Sequence, residues 1–177
     1  GAAIGPDGYC YVCNNGGFEW TERNGKTYPG EQPASYAGGS IQKVDLQSGE
    51  FSTLYTHCDG EALKGPNDIV FDAQGGFWFT DHGKNRVRDK DRTGVFYALP
   101  DGSQITEAIF PLEAPNGIGL SPDEQELFVA ETPTGRLWAY PLAGPGVIDA
   151  DKPRRLVNGR QGFFMFDSLA VDANGDV

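Results

Sequence analysis

Three short stretches of the 177-residue chain place amide and carboxylate side chains at one interval: Asn67-Asp68, Asn116 and Asp167-Ser168. Asn67 to Asn116 is 49 residues and Asn116 to Asp167 is 51. Oxygen donors of this kind suit a hard cation such as Ca2+, Mg2+ or Mn2+. A single Asn or Asp before a strand is an ordinary turn residue, because its side chain bonds the nearby backbone. Three at a common interval mean more only if the fold makes them converge, so the elements between them decide.

Those elements repeat. Ala2–Cys13, Ile69–Thr80, Ile118–Ala130 and Leu169–Val177 each read as a short apolar strand, an acidic turn and a second apolar strand. Asp7, Asp72, Asp123 and Asp172 mark the same turn, 65, 51 and 49 residues apart. The first interval is long because of an insertion, about Asn14 to Gly39, read as a structureless loop. Second hairpins fill the gaps: Ile41–Leu46 with Phe51–Tyr55, Val95–Leu99 with Gln104–Ile109, and Leu137–Leu142 with Arg154–Val157. Asp101-Gly102 between apolar runs is a strong hairpin signal. Four antiparallel strands in about 50 residues describe one blade of a β-propeller. The expected class is all-β, with three full blades, the start of a fourth, and Ile69–Phe71, Ile118–Leu120 and Leu169–Val171 innermost. A β-sandwich shares the short strands but not the fixed repeat phase. Residues 1–177 are expected to be one partial propeller domain, cut at both ends and catalytically incomplete alone.

In a propeller the starts of the innermost strands gather at one mouth of the channel. Asn67, Asp68, Asn116 and Asp167 are therefore expected there, with Asn116, Asp167 and Asn67 as metal ligands. The loops that follow the second strands border the same mouth and carry Asn14-Asn15, Asp81-His82 and Glu131. His82 is a candidate proton shuttle, since imidazole titrates near neutrality. A long loop is often a lid or binding loop, and Phe18, Trp20, Tyr28 and Tyr36 of the insertion could cover a substrate. His57 is assigned no role. Trp78 and Trp138 lie in apolar strands and read as core.

The net charge of −11 repels phosphate backbones and argues against nucleic acid as a partner. No apolar run approaches the length needed to span a bilayer, so no membrane partner is expected. Three cysteines are too few for a disulfide framework. Cys10 and Cys13 match C-x-x-C, but residues three apart on a strand face opposite ways, which excludes a shared metal. The expected compartment is cytoplasmic; periplasmic or secreted placement stays open because the chain starts at Gly1 without Met.

The stretches Pro66-Asn67-Asp68-Ile-Val-Phe-Asp, Phe-Trp-Phe-Thr-Asp81, Pro115-Asn116-Gly117-Ile-Gly-Leu-Ser-Pro-Asp and Asp167-Ser168-Leu-Ala-Val-Asp resemble the gluconolactonase/regucalcin (senescence-marker-protein type) family. The resemblance covers the whole chain. It implies a six-bladed propeller that hydrolyses a lactone at one divalent metal, calcium first, with magnesium, manganese or zinc as alternatives. It implies Asn116 and Asp167 as ligands, Asp167 also handling the proton, Asn67 on substrate or metal, and Asp68 as a general acid. The family's glutamate ligand would lie upstream of Gly1. Gly65 stands where some sugar lactonases carry arginine, so gluconolactone itself is not implied. Asp81-His82 echoes the paraoxonases, which keeps an arylesterase-like hydrolase open beside a non-enzymatic binding platform. A strictosidine-synthase-like enzyme is disfavoured by the Asn116/Asp167 pair. The expected partner is a small lactone or ester; the oligomeric state is not given by the sequence.

Overall fold

The structure, a computed structural model, describes residues 1–159, 162 and 164–177. The first blade contains β1 (Ala2–Ile4) and β2 (Cys10–Asn14). The insertion follows, with β3 (Trp20–Arg23) and β4 (Lys26–Pro29). β5 (Ser40–Val44) and β6 (Phe51–Tyr55) complete the blade in the order β1-β2-β5-β6. A small hairpin, β7 (His57–Cys58) and β8 (Glu61–Ala62), leads to the second blade. That blade is β9 (Pro66–Phe71), β10 (Phe77–Asp81), β11 (Thr93–Ala98) and β12 (Ile105–Leu112), paired in sequence. The third has β13 (Pro115–Leu120), β14 (Glu126–Glu131) and β15 (Arg136–Gly144). Its outer strand is split: β16 (Val147–Ile148) pairs the end of β15 and β17 (Arg155–Gly159) its beginning. All these pairings are antiparallel, as the propeller repeat requires. No helix among the described residues is long and apolar enough to cross a membrane.

The repeated acids make the repeated turns. Asp72 Oδ1 accepts the N–H groups of Gln74 (3.0 Å) and Gly76 (2.9 Å). Asp123 accepts from Gln125 (3.1 Å), and Asp172 from Asn174 (2.8 Å) and Asp176 (2.9 Å). The side chain does what a backbone carbonyl does in a regular turn.

Two expectations change. Leu169–Val171 forms no strand. It still makes the turn of the repeat, the Asp172 N–H donating to the Asp176 carbonyl (3.0 Å), but no strand ladder pairs it. The insertion is not structureless. Asn24-Gly25 closes the β3–β4 hairpin with both residues at positive φ (54° and 70°), the backbone of a two-residue hairpin turn.

β10 is buried along its whole length, and its pleat divides two cores. Phe77 and Phe79 pack towards the first blade with Tyr11, Ile41 and Tyr55. Trp78 packs the other way, with Ile118, Leu127 and Val129 of the third blade. Period-2 alternation thus makes one strand the seam between three blades. Truncating any of these rings to alanine costs about 3–5 kcal/mol. Trp138, expected in the core, lies at its margin, where its indole N–H donates to Glu131 Oε2 (2.8 Å).

Candidate functional site

The predicted residues sit where two inner strands gain one residue on their neighbours. Pro66 pairs with Asp81 and Ile69 with Phe79, so three steps along β9 oppose two along β10. Pro115 pairs with Glu131 and Ile118 with Val129, the same excess in the third blade. Such a β-bulge bends the strand and re-aims side chains. Asn67-Asp68 fills one bulge and Asn116-Gly117 the other, just inside the strands.

The acid opposite each proline holds the segment that precedes it. Asp81 Oδ1 accepts from the N–H groups of Gly65 (2.7 Å) and Gly83 (2.9 Å), and Oδ2 from Lys64 (2.7 Å). Burial lifts the Asp81 carboxyl above its ordinary value, against the pull of these three bonds. Glu131 accepts from the Glu113 N–H (2.8 Å), the Thr134 hydroxyl (3.2 Å) and Trp138. Both acids were expected to border the mouth, and their oxygens are committed to loops. Asn14 and Asn15 likewise accept from the Gly16 (2.9 Å) and Gly17 (2.8 Å) N–H groups.

Asn116 differs from them. It is 5% exposed. Its amide Nδ2 donates to Thr132 Oγ1 (3.1 Å), which turns Oδ1 the other way, and buried Oδ1 has no donor among the described residues. Its main-chain carbonyl accepts the Thr80 hydroxyl (2.6 Å). Gly117 N–H donates to the Asp167 carbonyl (3.0 Å). A Cβ on Gly117 would lie 2.6 Å from Asp167 O and Leu169 N, so the 167–169 backbone rests directly on β13. The Asp167 side chain is exposed.

His82 Nδ1 is a second buried polar atom without a partner among the described residues. Burial pushes the imidazole below its ordinary pKa; bonding to the Pro115 carbonyl and the negative charge of Asp167 act in the opposite direction. Asn67 and Asp68 are half-buried. Asp68 Oδ1 caps the Ile69 N–H (3.0 Å), and the Asp68 N–H donates to Thr80 Oγ1 (3.1 Å). The fold therefore groups Asn116, Asp167 and His82, and ties Asn67-Asp68 to them through Thr80. Among the described residues no three His, Cys, Asp or Glu side chains converge as a metal cluster. A concavity of about 770 Å³ lies along the insertion hairpin between Glu19 and Gln32 and includes none of these side chains.

The insertion is clamped beside His82. Lys84, 1% exposed, donates Nζ to the Gly17 carbonyl (2.5 Å) and lies 4.0 Å from the Phe18 ring centroid. Burial lowers its pKa, and Asp81 and Asp91 oppose the change. The Tyr36 hydroxyl donates to the Lys64 carbonyl (2.6 Å), and Gln32 N–H to the Asn85 carbonyl (2.8 Å). Phe18 and Tyr36 thus serve the clamp, while Trp20 and Tyr28 stay exposed. Sequence reasoning missed Thr80, Thr132 and Lys84. For Thr80 a signal existed: a hydroxyl inside the apolar run Phe77-Trp78-Phe79 needs a partner when buried.

Two inner strands that open on Asn67-Asp68 and Asn116, with Asp167 laid against the second, define a propeller with a candidate site at its channel mouth. The chain belongs to the SMP-30/Gluconolactonase/LRE-like region family, whose model matches residues 1–177. Lactonase drp35 of Staphylococcus haemolyticus is 30% identical over 174 residues, 98% of this chain and 47% of that protein. Gluconolactonase of Zymomonas mobilis is 29% identical over 193 residues, 100% of this chain and 47% of that protein. The chain spans about half the length of these relatives. The solved structure of a Xanthomonas campestris gluconolactonase matches with a TM-score of 0.72 at 24% identity, covering 99% of this chain and 53% of that one. At that identity the likeness is one of fold.

Proposed function

We propose that this chain forms part of a lactonase that opens a small lactone at a divalent cation held by Asn116, Asp167 and Asn67. The observation that carries the reading is the Asn116 side-chain oxygen, buried without a donor among the described residues while Thr132 occupies the amide nitrogen. An oriented acceptor with no donor fits a hard cation, whose ligands are oxygens. Calcium suits this donor set best; magnesium and manganese take the same atoms. The chemistry a bound cation supplies is Lewis acidity towards a carbonyl and towards water.

The remaining work falls to the protein's own groups. The exposed Asp167 carboxylate takes the proton from the attacking water, and Asp68, half-buried, returns one to the leaving oxygen. His82, kept neutral by burial and with a free ring nitrogen, can relay a proton beside Asp167. That feature favours a second reading, an arylesterase-like hydrolase on the same scaffold. Chelator-sensitive turnover across a panel of lactones and aryl esters separates the two. In the intact protein, Asp167→Ala is expected to abolish metal-dependent lactone hydrolysis; undiminished activity would remove Asp167 from the reaction.

A further inference from the structure

We infer that Thr80 is a positioning residue for the candidate site: its one buried hydroxyl bridges the Asp68 bulge of the second blade to the Asn116 bulge of the third. The inference rests on the cation reading above and adds a residue that reading does not contain.

Thr80 is fully buried at the end of β10. Its Oγ1 accepts the Asp68 N–H at 3.1 Å and donates to the Asn116 carbonyl at 2.6 Å. Both partners lie in the extra residues of the bulges, where the β9–β10 and β13–β14 ladders lapse. A bulge leaves main-chain groups without their usual strand partners. Here one hydroxyl serves a bulge N–H on its own blade and a bulge carbonyl on the next. A hydroxyl is the smallest group that both accepts and donates, so the two bulges share one atom as reference.

The same strand position holds Cys13 in the first blade and Ala130 in the third. Neither reproduces the bridge. Cys13 is buried as a neutral thiol, its pKa pushed up to about 12 by burial, and Ala130 has no polar atom. The link is therefore specific to the seam between Asp68 and Asn116. It fixes the main chain of Asn116, while Thr132 fixes its amide. Loss of the bridge leaves the Asn116 carbonyl and the Asp68 N–H without a partner and frees the two bulges to shift independently.

The test uses the intact protein and calcium as the probe. Thr80→Val keeps the shape and removes the hydroxyl, and Thr80→Ser keeps the hydroxyl and removes a methyl. Supporting groups around metal ligands change affinity by about 10–100-fold. Thr80→Val is expected to weaken calcium binding, measured by calorimetry, by at least about 10-fold, with Thr80→Ser within about 3-fold of the parent. Asn116→Ala is measured in parallel. Calcium affinity unchanged in Thr80→Val but lost in Asn116→Ala would overturn the role of Thr80 alone. Affinity unchanged in Asn116→Ala would overturn the cation reading and the Thr80 inference with it. Equal weakening by Ser and Val would assign the effect to packing and overturn the inference. If Thr80→Val does not fold, Thr80→Ala against Thr80→Ser isolates the hydroxyl on a common loss of the methyl, with the same criteria.

Discussion

Removing the Asp81 carboxylate in two stages separates its geometry from its charge. In Asp81→Ala the N–H groups of Lys64, Gly65 and Gly83 lose their acceptor together. A buried donor left unpaired costs about 1–3 kcal/mol. Three such donors set a ceiling near 9 kcal/mol, and relief of the buried charge, whose desolvation is the largest influence on this carboxyl, returns part of it. A net loss of about 4 kcal/mol is expected. In Asp81→Asn the amide oxygen can occupy the Oδ1 position and keep the Gly65 and Gly83 bonds. Its NH2 group then faces the Lys64 N–H, donor against donor, and one bond is lost for about 2 kcal/mol. Urea unfolding of the intact protein, followed by tryptophan fluorescence, measures both. Calcium affinity should fall in the same order, because Lys64-Gly65 leads directly into Pro66-Asn67. An Asn variant as unstable as the Ala variant would show that charge, not the placement of acceptors, holds this segment. A loss below about 1 kcal/mol in the Ala variant would refute the clamp.

Thr132→Val should free the Asn116 amide to rotate and weaken calcium binding by about 10-fold, while Thr132→Ser preserves it; calorimetry reads both. Gly117→Ala puts a Cβ 2.6 Å from the Asp167 and Leu169 main chain, so it should displace Asp167 and cut lactone turnover by about 10-fold or more. For His82 the folded pKa lies below the ordinary 6.5, so the unfolded chain takes up the proton first. Stability of the metal-free protein should therefore fall as pH drops through 6.5 towards the folded value. His82→Gln should flatten that slope between about pH 7 and 5 in urea melts.

Strand order and blade phase were legible because they rest on local signals: alternating apolar residues and an acid at each turn. That Asn67 and Asn116 occupy equivalent places in adjacent blades was legible because the repeat supplied their phase. The β3–β4 hairpin was missed although Asn24-Gly25 announces it; few apolar residues flank the turn, and β3 and β4 are exposed throughout. At Leu169–Val171 the acid-marked turn was legible and forms, but the apolar residues before it join no ladder, since apolar alternation by itself supplies no partner. Asp81 and Glu131 were placed at the right end of their strands but given the wrong company, since nothing in the sequence says which backbone N–H groups a carboxylate will meet. The need of Thr80 for a partner was legible, but not which groups it meets, since these lie 12 and 36 residues away.

Chain length around Asn67 and Asn116 is constrained more tightly than residue type. A surplus residue held in a bulge lets the pairs on either side of it keep facing the same way: Pro66 still meets Asp81, and Ile69 still meets Phe79. Replacing Asn67 alters one side chain. Deleting it would remove the bulge itself, and with it the irregular backbone that offers the Asp68 N–H to Thr80. The same deletion at Asn116 would remove the bulge whose carbonyl Thr80 holds. An added residue between β3 and β4, by contrast, would only lengthen a projecting hairpin. The mouth of this propeller therefore depends on one surplus residue in each of two inner strands.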